Sequence, residues 1–300
     1  MTGLLQYPDY PFTPKTFDRG DGIRLNYLDE GDADAEPVLM IHGNPSWSYY
    51  WRHLVLGLRD SYRCIVPDHI GMGLSDKPDD SRYEYTLQSR VDDLDKLVAS
   101  LGLKGRITLA VHDWGGMIGF AWALKNPERI ARLVILNTSS FPLPKTKMLP
   151  WQIALGRVPL LGAVLIRGFN FFARGAADLG VMTPIDRASR KALLSPYDSW
   201  TSRRAVHRFV QDIPLKPGDK AWALVAAAER QLPNYRQLPT FIGWGLQDFV
   251  FDQDFLAHFV KELPNATQKI YGDAGHYVLE DKYAELVPAI RQFLDRHPIA

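Results

Sequence analysis

The chain has one cysteine, Cys64, so it cannot form an intramolecular disulfide. A reducing, cytoplasmic setting is the expected one, with Cys64 a small buried side chain in the run Arg63-Cys-Ile-Val-Pro67. Neither sign of charge is in excess: 35 Lys and Arg against 34 Asp and Glu leave a formal charge of +1. Without a basic stripe interleaved with aromatics, no nucleic-acid partner is expected. No apolar run is long enough to span a bilayer. Met1 to Phe17 lacks the charged and apolar regions of a signal peptide. The eight histidines are scattered, without HExxH or Cys/His spacing, so neither a metal nor any other cofactor is expected.

What is present is a regular alternation. Ile23–Leu28, Val38–Ile41, Arg63–Pro67, Ile107–Val111 and Arg132–Leu136 read as strands. Between them, Ser48–Leu58, Leu87–Leu101 and Met117–Leu124 read as helices. Apolar strands alternating with helices predict a mostly parallel sheet with helices on both faces. From Phe141 to about Arg230 the chain turns helical, Pro-punctuated and aromatic. Strand character returns at Pro239–Gly245, followed by a helix at Gln253–Glu262, a strand at Gln268–Tyr271 and a closing helix at Tyr283–Asp295. The expected organisation is an α/β core over 1–140, a helical cap over 141–230, and the rest of the core over 231–300.

In an open parallel sheet, ligands bind beyond the carboxyl ends of the strands. The polar residues there are His42 to Asn44, Asp113 and Trp114, Asn137, Asp248, and His276 in Gly272-Asp-Ala-Gly-His276. Ile107-Thr-Leu-Ala-Val-His-Asp113-Trp114-Gly115-Gly116 is a strand, a sharp turn and a helix, the setting of a nucleophile elbow. Asp113 at its apex could instead cap the helix. The chain order of Asp113, then Asp248, then His276 favours a nucleophile, an acid and a histidine. Asp252 is a rival acid, but it is placed to cap the helix beginning at Gln253. A carboxylate is ionised at neutral pH and needs no base to activate it. It is a poor attacker of ordinary esters but displaces leaving groups from sp³ carbon. Asn44 and Trp114 offer backbone and side-chain N–H donors to the departing group.

Together, His42-Gly-Asn-Pro45, Asp113-Trp-Gly-Gly116, Asp248 and His276 make the chain resemble the haloalkane dehalogenase-like α/β-hydrolases along nearly its full length. That resemblance implies the α/β-hydrolase fold, Asp113 as nucleophile, His276 and Asp248 as its partners, and Asn44 with Trp114 as leaving-group donors. Val111 departs from the small residue expected two positions before the nucleophile. The runs His42–Arg52, Pro67–Pro78 and Tyr85–Leu94 are more similar to the β-lactone decarboxylases of bacterial long-chain olefin biosynthesis. So is the cap run Phe209-Val-Gln-Asp-Ile-Pro-Leu215. That closer resemblance implies a cis-3,4-dialkyl β-lactone substrate, cis-alkene and CO₂ as products, and assembly with other enzymes of that pathway. Attack at the ring carbon bearing oxygen and attack at the carbonyl both remain open.

Three other readings compete. Dehalogenase is the runner-up, because the Asn44 and Trp114 donors suit halide. Epoxide hydrolase ranks third, since that activity wants two cap tyrosines and Tyr197 is the only one between Phe141 and Arg230. A small-molecule receptor or scaffold would keep the fold without needing Asp113, Asp248 and His276 together. In the cap, Trp151, Phe169, Phe172 and Trp222 are the expected lining for a hydrophobic small-molecule substrate. Leu155–Phe172 is amphipathic and basic; it reads as a lid helix, with peripheral contact to a membrane surface as its alternative.

Overall fold

The computed structural model describes residues 7–144 and 147–299. The first six residues, part of the signal-peptide reading, and Ala300, the end of the second core segment, lie outside them. The strands are β1 (Lys15–Asp18), β2 (Arg24–Glu30), β3 (Pro37–Ile41), β4 (Arg63–Pro67), β5 (Ile107–Asp113), β6 (Ile130–Thr138), β7 (Thr240–Gly245) and β8 (Thr267–Tyr271). They form one sheet in the order β1-β2-β4-β3-β5-β6-β7-β8. The first two pairings are antiparallel, and every pairing from β4–β3 onward is parallel. Every residue of β3, β5 and β6 is buried, as expected of parallel strands covered on both faces.

Side chains alternate between those faces. Leu39 and Ile41 join one apolar cluster, while Val38 and Met40 join the other. The first cluster is completed by α2 (Leu87–Ser100) and α3 (Trp114–Ala123). The second is completed by α1 (Arg52–Leu58) and by the last helix, Val278–Arg296. The sequence missed β1 because three of its four residues are polar and exposed, and Phe17 alone sets no apolar period. Ser48–Leu58 is not one helix but a 3₁₀ turn, Ser48–Trp51, leading into α1. The last helix has non-helical backbone at Lys282, which is why its regular pattern begins only at Tyr283.

Between β6 and β7 the described residues hold no strand. They carry α4 (Trp151–Arg157), α5 (Leu161–Ala163), a π-helical turn over Val164–Gly168, α6 (Phe171–Leu179), α7 (Arg187–Leu194), α8 (Arg204–Gln211) and α9 (Trp222–Gln231). After β7 come α10 (Gln253–Glu262) and, beyond β8, α11 (Val278–Arg296). Asp252 accepts the Asp254 N–H at the start of α10, so it is a helix cap and leaves the acid position to Asp248.

The seam between this helical layer and the sheet domain is charged and buried. Asp212, just past α8, accepts from the Leu87 N–H at 2.6 Å and from Arg90 at 3.1 Å. The Arg90 guanidinium lies 3.6 Å from the centre of the Phe209 ring. The run Phe209–Leu215 thus fastens the helices to the run Tyr85–Leu94.

Candidate active site

The site is built on the turn from β5 into α3. Asp113 has φ 52° and ψ −129°, a strained conformation for a non-glycine residue and the mark of a nucleophile elbow. Close packing makes the turn possible. A Cβ on Gly115 would strike the Ile41 carbonyl, and one on Gly116 would strike the Thr138 hydroxyl and the Ser139 carbonyl. Val111 is accommodated because Gly119, one helical turn past Gly115, leaves room where a Cβ would press on its methyl group.

Asp113 does not cap α3 with its side chain. Its Oδ1 accepts the Asn44 backbone N–H at 2.5 Å, and the Trp114 backbone N–H also bonds the carboxylate. The other oxygen, Oδ2, stands 3.5 Å from His276 Nε2. His276 Nδ1 is 2.8 Å from Asp248 Oδ2, and since a carboxylate only accepts, Nδ1 carries the proton. Asp248 is buried and fixed further by the Val250 N–H at 2.7 Å and the Asn137 amide at 3.0 Å. A wide separation, which would have favoured the receptor or scaffold reading, is not found: the three residues lie within relay distance.

Burial pushes the Asp113 carboxyl up to about 6, against the lowering influence of His276 and the two backbone N–H groups. Burial also opposes charge on His276, but Asp248 and then Asp113 outweigh it and hold its pKa above the ordinary value. A carboxylate nucleophile must be ionised to attack. The acid limb of a kcat/KM profile should therefore centre near pH 6 and not near 4. A full profile with a soluble substrate checks this, and a limb at pH 4 would place the titrating group elsewhere.

The corner opens on a cavity of about 530 Å³ whose lining is mainly apolar. Asn44, Asp113, Trp114 and His276 are its polar floor. The Asn44 amide donates to the Val206 carbonyl at 3.2 Å while its Oδ1 has no partner. Trp114 packs edge-on against Phe209, with ring centres 5.1 Å apart. Phe169 and Phe172 line the cavity, together with Met117, Val210 and Ile213. Trp151 and Trp222 do not. Trp151 is 65 % exposed beside the mouth, and Trp222 begins α9 away from it. An aromatic on a cap helix faces inward or outward according to that helix's rotation, which composition does not encode.

Sequence reading also missed three supports. Asn137 clamps Gly245 through both amide atoms as well as Asp248; its place at the end of β6 was visible, its role was not. His112 bonds the His276 carbonyl at 2.9 Å and stacks on Tyr50, directly before the nucleophile. His42, buried with its pKa lowered to about 4, bonds the Gly43 carbonyl at 2.8 Å and steadies the turn that presents Asn44. No group of His, Cys, Asp and Glu among the described residues could hold a metal ion.

Comparison with known proteins agrees with this architecture. A family model described as the alpha/beta hydrolase fold matches residues 36–283. A cis-3-alkyl-4-alkyloxetan-2-one decarboxylase of Xanthomonas campestris is 58% identical, covering 98% of this chain and all of that one. A protein of the same name from Shewanella oneidensis is 53% identical over 91% of this chain and 86% of its own. The solved haloalkane dehalogenase DatA of Agrobacterium tumefaciens shares the fold, with a TM-score of 0.85 at 23% identity, covering 95% of this chain and 97% of that one. With a family model spanning most of its length and relatives above half identity along nearly all of it, this chain is an enzyme that belongs to the α/β-hydrolase fold family.

Proposed function

We propose that the chain decarboxylates cis-3,4-dialkyl β-lactones to cis-alkenes and CO₂, a step of hydrocarbon biosynthesis, with Asp113 as nucleophile and His276–Asp248 behind it. One observation carries the chemistry: Asp113 lines an apolar cavity with its Oδ1 held by the Asn44 backbone N–H and its Oδ2 3.5 Å from His276 Nε2. The choice of lactone is supported by the two relatives named for that substrate. Phe209, Val210, Ile213 and Pro214 add to it, because the cap run similar to such enzymes packs on Trp114 and lines the cavity. Association with other enzymes of that pathway belongs to the same reading.

The steps balance without a net proton. Asp113 Oδ2 attacks the ring carbon bearing oxygen, the strained C–O bond breaks, and an alkyl ester and a free carboxylate result. That carboxylate leaves as CO₂, its electron pair forming the double bond as the ester C–O bond breaks and Asp113 is restored. Inversion followed by anti elimination turns a cis-lactone into a cis-alkene. Attack at the carbonyl would instead leave an alkoxide, a poor leaving group, on the carbon that must become the alkene. Trp114 and Asn44 hold the freed carboxylate, while His276 keeps the Asp113 carboxylate placed and its charge matched.

Dehalogenation is the second reading, favoured by Asn44 and Trp114, which bring an amide and an indole to the cavity floor beside Asp113. Epoxide hydrolysis loses further ground, because Tyr197 is buried with its hydroxyl toward Ser46 and Met72 and does not line the cavity. The test is incubation with a synthetic cis-β-lactone in ¹⁸O-water, with alkene measured by gas chromatography and the Asp113 peptide by mass spectrometry. Alkene should appear while Asp113 keeps its own oxygens, since no water enters the cycle. Unchanged lactone with folded protein, or steady halide release with ¹⁸O in Asp113 from bromoalkanes, would favour dehalogenation.

A further inference from the structure

Between Met148 and Met182 the charged residues are Arg157, Arg167, Arg174 and Asp178. Asp178 is paired with Arg190 of α7. Among the described residues none of the three arginines forms an ion pair with a carboxylate: Arg157 donates to carbonyls past α8, and Arg167 stacks on Trp200 at 4.4 Å. Val158, Leu160, Leu161, Val164 and Phe171 are exposed along the same stretch. Phe169 and Leu179, at the cavity mouth, are 67 % and 61 % exposed, and Trp151 stands beside them.

Leu160, in the turn joining α4 to α5, is 84 % exposed with φ 62° and ψ −53°. The Leu161 N–H donates to the Pro159 carbonyl at 2.7 Å, so Leu160 sits at the centre of a positive-φ γ-turn, rare and strained for any residue with a side chain. The turn holds a leucine out in water, where it contributes nothing to the folded core. Strain of this kind persists where it serves a function.

We propose that this face of the cap docks on an anionic lipid bilayer. Leu160, Leu161, Trp151 and Phe169 enter the acyl boundary, and Arg167 and Arg174 lie at the level of the phosphates. Cations without carboxylate partners beside exposed apolar side chains are complementary to a negatively charged, apolar surface and to no neutral one. The cavity then opens toward the membrane. No helix among the described residues is long and apolar enough to cross it, so contact is peripheral. The docking face exists whatever bond the site breaks, so its test stands apart from the lactone assay.

The experiment is co-sedimentation of the full chain with vesicles of phosphatidylcholine, with and without phosphatidylglycerol. Binding should need the anionic lipid and weaken in high salt. Leu160→Gly relieves the strained turn, keeps the fold, and should weaken vesicle binding about tenfold by removing one inserted side chain. Turnover of a water-soluble substrate should be unchanged by that variant. No binding, equal binding to both compositions, or binding indifferent to Leu160→Gly would overturn the proposal. A second copy of the chain is the occupant if light scattering shows dimers that Leu160→Gly dissociates without any vesicle binding.

Discussion

Replacing Asp113 with Asn should lower alkene release by about 10⁴-fold or more, the scale seen when a nucleophile is removed from a preorganised site. The same substitution should raise the melting temperature by a few degrees at pH 8. Both effects have one cause. Burial lifts the Asp113 carboxyl from its ordinary value near 3.8 to about 6. The folded state thus binds that proton more tightly than the unfolded chain does. Ionisation begins to cost stability above pH 4 and costs it fully beyond about pH 6. At ~1.4 kcal/mol per pKa unit, the penalty at pH 8 is on the order of 3 kcal/mol. Asn carries no charge and can still accept the Asn44 N–H. The gain should shrink toward pH 4, where the native Asp is itself protonated in the folded state. Asp113→Ala should lose the activity equally but without the gain, because it leaves the Asn44 and Trp114 N–H groups unpaired. Melting curves at both pH values, run beside the lactone assay, check the whole set. Residual activity within tenfold of the parent would remove Asp113 from the nucleophile's role.

The second large effect concerns the donors. Trp114→Phe keeps the ring that packs on Phe209 and removes only the indole N–H, so kcat should fall about 10²-fold with KM little changed. Asn44→Ala should cost a similar factor in kcat. It should also raise KM, because the Asn44 amide bonds Val206 and helps seat α8 over the cavity. The two losses should multiply to about 10⁴-fold if each donor bonds a different oxygen, and fall well short of that if both serve one. A double-mutant cycle on kcat separates those cases. A rise in KM alone for Trp114→Phe would mean that its N–H binds the substrate without stabilising the transition state.

Much of this site was legible because its parts fall at strand ends, where chain order alone fixes their relation. Asp113 ends β5, Asp248 and His276 follow β7 and β8, and with β6 alone between β5 and β7 the three meet at one end of the parallel strands. Buried parallel strands announce themselves as unbroken apolar runs, so β3, β4 and β6 were read to within two residues. What escaped depends on orientation. Trp151 and Trp222 sit on helices whose rotation is decided by packing partners far away in sequence. Asn137 and His112 act through hydrogen bonds to residues more than a hundred positions distant. The strained Leu160 gave no sign, since nothing in Val158-Pro-Leu-Leu161 requires a positive φ.

The hold that Asn44 keeps on Asp113 Oδ1 makes the two oxygens of that carboxyl group unlike. One is pinned by the Asn44 main-chain amide and the other is left to bond carbon, so the group does not spin to exchange them. Should water ever cleave an ester at this corner, it replaces the free atom alone. Isotopically heavy solvent would then leave Asp113 two mass units heavier, and four would not appear however many cycles elapse.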